Sequence, residues 1–291
     1  SFPKYSICIK KSKSKLLVQQ DWYVPVIRNY YEHMWYLEVD NIMPKITPKI
    51  LYANKKPYFF VMEYYNPNKY PLWKKELFNL KLDSTFAKNV AISLANIHNK
   101  TFDNKKIAKN FNTVELFELI RINPYIRSAA IIHSDVRTEL LSIADNLYNT
   151  KLALVHGDIS PKNILMNNSQ PIFLDAECAW YGDPAFDIAF CLNHIILKSL
   201  VLDNIKEELI NHFKIISKNY LKNILLGDLQ KYEKRIILLL SALMLSRIDG
   251  KSPVEYITSE EKKEKIRDFS KFILKNPVNS LSEFAEKWLI K

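Results

Sequence analysis

Apolar runs with strand character alternate with longer stretches of helical periodicity along the first hundred residues. Residues 5–10 and 58–65 are short and apolar, which predicts two strands. Residues 84–99 carry an apolar residue every three or four positions, with Ser84 as the expected N-cap of a helix. Residues 24–40 show the same helical spacing, at Val26, Tyr30, Met34 and Leu37.

The rest of the chain is predicted to be largely helical. Helical patterns occur within residues 112–149, and two short apolar runs, at 152–155 and 171–174, follow. After them the pattern predicts three further helices, over residues 186–198, 205–226 and 232–247. Gly250 is a helix stop signal, and Ser252-Pro253-Val254-Glu255 predicts the start of a new helix through a capping box with proline at its first position.

Composition is that of an ordinary globular chain with a basic balance. The 291 residues are 48% hydrophobic and 25% charged, with a formal net charge of +11. The lysines are scattered, so we attribute the charge to a general composition bias and predict no nucleic-acid partner. Three cysteines form no CxxC pair, and no apolar run is long enough to span a bilayer. We therefore expect a reduced, cytoplasmic protein without a membrane partner.

The chemistry-bearing residues are concentrated in residues 154–191. His156-Gly157-Asp158 opens this stretch, Asn163 follows the aspartate by five residues, and Asp175 follows Asn163 by twelve. Two carboxylates and an amide oxygen are suitable ligands for Mg²⁺ together with phosphate oxygens. Phosphoryl transfer further needs an acceptor for the proton of the attacking hydroxyl. Asp158 fits that acceptor role, and Asn163 and Asp175 fit the metal roles.

The string H-G-D-x-x-x-x-N, followed by L-D-x-E and F-D-I-A, resembles the aminoglycoside phosphotransferase/choline kinase superfamily. The run from Asp175 to Asp187 is most similar to choline and methylthioribose kinases. The resemblance implies an α+β, protein-kinase-like fold and use of ATP and Mg²⁺. It makes Glu177 a second candidate metal ligand and Asp187 a brace for the backbone of the loop. His156 is expected to pack beneath the loop rather than transfer protons.

The same resemblance implies an organisation in two lobes. A small N-lobe sheet with one helix would occupy residues 1–65, and a helical C-lobe would occupy residues 66–291. A catalytic loop at 156–163 and a metal-binding segment at 175–187 would lie in the C-lobe. A hinge is expected near residues 62–66.

The nucleotide would be held by the N-lobe and the hinge. Ile7-Cys8-Ile9-Lys10 resembles the kinase strand whose lysine contacts phosphates, with Lys11 and Lys15 as rivals for that role. Glu32 is the expected helix partner of Lys10, with Glu38 as its competitor. The segment at Met62, Glu63 and Tyr65 resembles the kinase hinge, where Met62 would back the adenine and the backbone of the other two would bind its edge.

One departure from the kinase pattern leaves alternatives open. The chain has four glycines, and none precedes residue 157, so a Gly-rich phosphate loop is absent and an incomplete N-lobe is expected. A catalytically weak, kinase-like nucleotide-binding protein is therefore the alternative to an active enzyme. A protein kinase is disfavoured, because Gly157 replaces the arginine of that motif and only a short span separates Asp175 from Gly182.

The acceptor is expected to be a small molecule with a hydroxyl group, either a sugar, an amino alcohol or an aminoglycoside. Trp180 and Tyr181 lie beside the acidic residues in sequence and are candidates to line the substrate pocket, with an apolar packing role as the alternative for Trp180. Arg247 and Asp249, in the charged cluster after the last long apolar helix, are candidates to line it as well. The sequence does not indicate an oligomeric state.

Overall fold

The computed structural model describes residues 6–15, 22–54 and 58–290. Its strands are β1 (Ile7–Lys11), β2 (Ile50–Asn54), β3 (Phe59–Glu63), β4 (Ala153–Val155), β5 (Ile164–Asn167), β6 (Gln170–Phe173) and β7 (Trp180–Gly182). Its α-helices are α1 (Arg28–Ile42), α2 (Trp73–Phe78), α3 (Ser84–Thr101), α4 (Lys105–Asn110), α5 (Val114–Phe117), α6 (Ser128–Ile132), α7 (Arg137–Asn149), α8 (Ala185–Lys198), α9 (Lys206–Asn223), α10 (Leu229–Asp249), α11 (Glu260–Lys275) and α12 (Leu281–Ile290). A π-helix (Glu118–Arg127) and three 3₁₀ turns (Ser134–Val136, Pro161–Asn163 and Asp203–Ile205) complete the elements.

The N-terminal part is a three-stranded antiparallel sheet in the order β1-β3-β2, with α1 packed beside it. Lys10 lies opposite Phe60, which is fully buried. Tyr5, the first residue of the predicted strand, lies outside the described residues. The α+β class predicted from the sequence is confirmed. The division of the chain into domains at residue 65 stays a prediction.

The remainder is mostly helical and is organised around α8. Every residue of α8 is buried, and ten of its fourteen residues are apolar, as expected for a central helix. α9 and α10 pack against it, and α3 packs against both α8 and α9. In the described part of the chain, no single helix is long and apolar enough to cross a bilayer, although α8 and the 203–223 segment pass that test as a pair bent by 115°.

Two details of the helix termini differ from the sequence-based expectation. The N-cap of α3 is Asp83 rather than Ser84, and its carboxylate accepts a hydrogen bond from Phe86 N. The predicted capping box at residues 252–255 is wrong, because no helix begins there. Ser252 instead contacts Arg247, and Val254 N donates to Arg247 O, so this segment folds back on α10. The next helix begins at Glu260, after the N-cap Ser259.

A proline decides the geometry of the segment before the catalytic loop. Pro124 lies within the helix and has no N–H to donate, which interrupts the α-helical ladder. The segment instead forms the π-helix, a form often found at functional sites. It places the buried side chains of Arg121 and Tyr125 close together, with the Arg121 guanidinium 5.4 Å from the centroid of the Tyr125 ring.

The structure corrects the prediction that Trp180 and Tyr181 wall the substrate pocket. The two belong to β7, which pairs with β4, so their side chains point to opposite faces. Trp180 is fully buried and stacks on Phe117 at a centroid distance of 4.3 Å. The Tyr181 hydroxyl accepts from Asn104 N and lies 2.9 Å from Leu152 O. Both side chains are therefore structural.

We predict that Trp180→Ala will lower the free energy of unfolding by about 3–5 kcal/mol, because it empties a large, well-packed site. The measurement is urea denaturation followed by circular dichroism. Leu225→Ala is the control, since Leu225 is 78% exposed and its truncation is expected to change stability by less than about 0.5 kcal/mol. A Trp180→Ala protein of unchanged stability would contradict the core assignment.

Candidate active site

The loop between β4 and β5 is braced by a buried carboxylate on α8. Asp187 accepts hydrogen bonds from His156 N and Gly157 N, both at 2.8 Å, and contacts His98 Nε2 at 3.3 Å. These two backbone donors would otherwise be buried without partners, which is costly. Asp187 thus contacts the loop in the way that the resemblance implied.

His156 lies beneath the loop. Its Nε2 atom is 3.0 Å from Leu174 O, and its Nδ1 atom accepts from Asp158 N at 3.1 Å. Its ring also packs edge-to-face on Trp35. Burial, partly opposed by the charge of Asp187, lowers the pKa of His156, so the ring is neutral at physiological pH. A neutral ring with both nitrogens engaged supports the loop rather than shuttling protons.

Asp158 lies at the tip of the loop, between two cations. Its Oδ2 atom is 3.0 Å from Arg121 and 3.1 Å from Lys162. Burial alone raises the pKa of Asp158, but Lys162 and Arg121 outweigh it and hold the pKa well below its ordinary range. The Oδ1 atom is buried and has no hydrogen-bond partner among the described residues. The carboxylate is therefore ionised and keeps one oxygen available.

Asn163 and Asp175 are brought side by side by the backbone. Leu174 N donates to Asn163 O at 2.8 Å, and Asn163 Nδ2 donates to Asp158 O at 3.0 Å. Asp175 adopts a left-handed conformation with φ of 67°, which costs energy for a non-glycine residue. Its amide donates to the hydroxyl of Tyr36, and that hydroxyl donates to Glu32. This contact compensates part of the strain and fixes Asp175 against α1.

Lys10 joins the sheet, α1 and Asp175. Its ammonium lies 2.8 Å from Glu32 Oε1 and also contacts the carboxylates of Asp175 and Glu177. Burial lowers the pKa of Lys10, yet these carboxylates raise it above its ordinary value. Burial raises the pKa of Glu32 to about 7 even though Lys10 opposes that shift. The pair predicted from the sequence is therefore formed, with Lys10 rather than Lys11 or Lys15.

Glu177 is the third carboxylate at this point and is bound from the N-terminal side. Arg28 Nε donates to Glu177 Oε2 at 2.8 Å, and the Ser12 hydroxyl donates to the other oxygen at 3.0 Å. Arg28 also donates to Lys13 O and Val24 O. Arg28 therefore connects the acidic segment to the chain that follows β1.

Asp158, Asp175 and Glu177 open into one cleft of about 500 Å³, which we call the catalytic cleft. It is lined by Lys11, Ser12, Lys13, Lys15, Trp22, Arg28, Ile120, Arg121, Tyr125, Asp158, Lys162, Asp175, Glu177, Cys178 and Ser252. Asp158 and Asp175, which are seventeen residues apart in sequence, thus open into the same space.

The expected adenine-binding residues lie at the end of β3 and do not belong to this lining. Met62 is half-buried against the hydrophobic core, and Glu63 is exposed. The Tyr65 hydroxyl donates to Glu63 Oε2 at 3.0 Å, and its ring packs on Tyr70. The adenine role of these three residues stays a prediction.

Arg247 and Asp249 lie on different faces of α10, because residues two apart do not share a helix face. Arg247 is buried and contacts Tyr125 and Ser252, two residues of the cleft wall. Asp249 forms a two-pronged ion pair with Arg267 and contacts His133. The placement of Asp249 in the substrate pocket is therefore corrected, since its carboxylate is committed on another face of α10.

Five residues of the site were not predicted from the sequence. Arg121 and Lys162 hold Asp158, Tyr36 links α1 to Asp175, and Arg28 and Ser12 hold Glu177. Lys162 had a visible signal, because it lies between Asp158 and Asn163. The other four are distant in sequence from the motif, and their roles follow only from the folded chain.

Asp175 and Glu177 offer oxygen ligands for a hard divalent cation, while Glu32 is committed to Lys10, whose ammonium contacts all three carboxylates. Glu32, Asp175 and Glu177 each offer a carboxylate oxygen, and these atoms lie within 4.8 Å of one another. Glu32 Oε2 is buried without a hydrogen-bond partner among the described residues. Oxygen ligands of this kind suit Mg²⁺. The set includes two of the predicted ligands, Asp175 and Glu177, while Asn163 lies beside Asp175 through its backbone.

Comparison with protein families agrees with this arrangement. Residues 124–208 match the model of the phosphotransferase enzyme family. The match confirms the resemblance drawn from the sequence and the coarse prediction of a phosphotransferase enzyme. No curated protein sequence matches the chain significantly.

Solved structures of kinases are similar in overall shape. A choline/ethanolamine kinase family protein from Mesorhizobium loti shares 12% identity with a TM-score of 0.48, covering 98% of this chain and 80% of its own. An ethanolamine kinase from Plasmodium vivax shares 14% identity with a TM-score of 0.49, covering 98% and 81%. An ADP-bound aminoglycoside phosphotransferase shares 15% identity with a TM-score of 0.47, covering 97% and 95%. At these scores the likenesses carry no further conclusion.

We predict that Gly157→Ala will destabilise the protein by more than the strain of a left-handed alanine alone. Gly157 has φ of +79°, and an added Cβ would lie 2.7 Å from Cys178 Cβ and from Cys178 O. We expect a loss of about 2–4 kcal/mol in the free energy of unfolding, from left-handed strain plus overlap with backbone. Urea denaturation measures it.

Gly227→Ala is the matched control, because Gly227 has φ of +39° and nothing lies within 4 Å of its added Cβ. Its expected cost is about 1 kcal/mol. Equal losses in the two variants would contradict the proposed close approach of Cys178 to the loop.

Proposed function

We propose that the chain is an ATP- and Mg²⁺-dependent small-molecule kinase that phosphorylates a hydroxyl group. The observation that carries this proposal is the convergence of Asp158 and Asp175 on one cleft, with Lys10 bound to both Glu32 and Asp175. The fit of residues 124–208 to the phosphotransferase enzyme family supports it. The acceptor is a small molecule, because the cleft has the size of a metabolite pocket.

Asp158 orients the acceptor hydroxyl and receives its proton. Its unpartnered Oδ1 atom offers an acceptor site, while Arg121 and Lys162 hold Oδ2 and keep the carboxylate ionised. A carboxylate with so low a pKa is a weak base, so its main contribution is to position the hydroxyl for attack. Proton transfer to it completes as the oxygen–phosphorus bond forms.

Lys10 steadies the phosphate groups, and Glu32 holds Lys10 in place. Asp175, Glu177 and Asn163 would hold Mg²⁺, which neutralises charge on the phosphate oxygens when it is bound. Ser12 and Lys13 follow β1 and line the same cleft. They are suited to contact phosphate oxygens from this side of the cleft.

We predict that Asp158→Asn will lower kcat by at least about a hundredfold, because it removes the proton acceptor while preserving shape. ATP affinity, measured by isothermal titration calorimetry in Mg²⁺ buffer, is expected to change little. The rate assay is ADP release across hydroxyl acceptors, with Asp145→Asn as control, since Asp145 lies exposed on α7. Retention of full activity by Asp158→Asn would overturn the role of Asp158.

We further predict that Asp175→Asn will raise the Mg²⁺ concentration needed for half-maximal ADP release by about tenfold or more, because a charged oxygen ligand is lost. Chelation by EDTA is expected to abolish ADP release by the unaltered protein. Nucleotide binding without transfer to any acceptor would favour the alternative, a catalytically weak nucleotide-binding protein. An unchanged Mg²⁺ requirement in Asp175→Asn would exclude Asp175 as a ligand.

A further inference from the structure

One face of α8 carries a row of residues that runs away from the catalytic loop. Phe190, His194 and Lys198 follow one another at a spacing of four, so they lie on the same face of the helix. The Phe190 ring lies 5.0 Å from the His194 ring, and Lys198 donates to His194 O. Arg247 and Tyr256 come close to this row from α10 and from the segment that follows it. We call His194, Lys198, Arg247 and Tyr256 the cationic cluster after Arg247, because burial lowers the pKa of His194 and lowers the pKa of Lys198 to about 7.

The cationic cluster borders the catalytic cleft. Arg247 Nη1 contacts the Tyr125 hydroxyl and the Ser252 hydroxyl, and both of these residues line the cleft. The Arg247 guanidinium also lies 5.5 Å from the centroid of the Tyr125 ring. Arg247 therefore stands directly behind the wall of the cleft, on the side that contains Asp158 and Arg121.

Arg247 is a buried cation whose partners are neutral. It is 7% exposed, and in the described part of the chain its hydrogen bonds go to the hydroxyl of Tyr125 and to the carbonyl and hydroxyl of Ser252. Its Nε atom is buried without a partner among the described residues, as are His194 Nε2 and the Tyr256 hydroxyl. A buried cation without a compensating anion is costly, so an anion bound there would recover free energy.

The carboxylates near this end of the cleft are already committed. Asp158 is held by Arg121 and Lys162. Glu255, which is close enough to Arg247 to influence it, is exposed and paired with Lys74. The charge left over at this end of the cleft is therefore positive.

The aromatic faces are also occupied. Arg121 and Arg247 lie over the Tyr125 ring, and Lys198 lies 4.9 Å from the centroid of the Tyr256 ring. A quaternary or primary ammonium ligand needs free aromatic faces or free carboxylates. Apart from Asp158 Oδ1, which is assigned to the acceptor hydroxyl, the described residues at this end of the cleft offer neither, which disfavours a cationic acceptor such as choline, ethanolamine or an aminoglycoside.

We infer that the acceptor carries an anionic group, a carboxylate or a phosphate, and that Arg247 binds this group at the wall formed by Tyr125 and Ser252. The inference rests on the proposed kinase function and narrows its substrate class. The acceptor hydroxyl would lie at Asp158 while the anion lies toward α10. A planar guanidinium, whose Nη1 atom reaches the cleft wall at Tyr125 and Ser252, is well suited to either anion. Arg247 acts here as a binding residue, and the transfer reaction itself is unchanged.

The first experiment compares acceptors that differ in charge at one end. Glycerate, glycerol 3-phosphate and glycerol share the hydroxyl-bearing frame, and choline and ethanolamine represent cations. We expect kcat/KM for ADP release to be at least about tenfold higher with one of the anionic acceptors than with glycerol, and near background with the cations. The better of glycerate and glycerol 3-phosphate identifies the anion. A preference for neutral or cationic acceptors would overturn the inference while leaving the kinase function intact.

The second experiment tests Arg247 with a matched control. Arg247→Gln is expected to lower kcat/KM for the anionic acceptor by about 10- to 100-fold, mainly through KM, and to leave ATP affinity unchanged. Arg247→Lys keeps the charge and should recover part of the loss. Arg137→Gln, at an exposed position on α7, should have no effect. An equal loss with anionic and neutral acceptors would show a purely structural role, and thermal melting identifies any variant that fails to fold.

Direct binding measurements distinguish the proposed anion site from the proposed kinase function. Glycerate and glycerol 3-phosphate are titrated into the nucleotide-free protein by calorimetry, with Arg247→Gln alongside. Binding that depends on Arg247, without Asp158-dependent ADP release from any acceptor in the first experiment, would support the anion site and count against the kinase function. Absence of Arg247-dependent binding for both anions would overturn the anion site, whatever the result of the rate assay.

Discussion

The ammonium group of Lys10 is the contact on which the site depends. It bonds to Glu32 on α1 and to Asp175 after β6, so a single cation joins the N-terminal sheet, its helix and the acidic segment. Glu32 is fully buried, and a buried carboxylate is tolerated only with compensating charge and hydrogen bonds, which Lys10 and Tyr36 supply. Loss of this cation would leave three carboxylates within 4.8 Å of one another without their shared counter-ion.

A second buried carboxylate controls the loop that carries Asp158. Asp187 holds two successive backbone amides, and Gly157 supplies the left-handed conformation that turns the chain directly after them. The hydrogen bonds of the catalytic loop and those of the acidic segment meet at Leu174. Its carbonyl oxygen accepts from His156 Nε2, and its amide donates to Asn163 O. The relative position of Asp158 and Asp175 is therefore determined by hydrogen bonds in the core as well as by the charges in the cleft.

Charge divides the cleft into two ends with different tasks. Asp175 and Glu177 lie with Lys10 and Arg28 at one end, where acidic oxygens and cations together suit a metal–nucleotide complex. At the other end Asp158 is outnumbered by Arg121, Lys162 and Arg247, which gives that end a positive balance. This balance is the electrostatic basis for the proposal that the acceptor carries an anionic group.

The sequence by itself determined the elements and the motif. The spacing of apolar residues located the main helices and strands to within a few residues, because the residues on the buried face of a helix or strand recur at a fixed interval. The spacing of Asp158, Asn163 and Asp175 indicated phosphoryl chemistry, because those residues act from one local segment. Tertiary structure decided what surrounds them. Arg121, Arg28 and Tyr36 reach the site from distant segments, Trp180 turns into the core, and the 252–255 segment packs on α10 instead of starting a helix. Such outcomes depend on long-range packing and charge compensation, which no local pattern encodes.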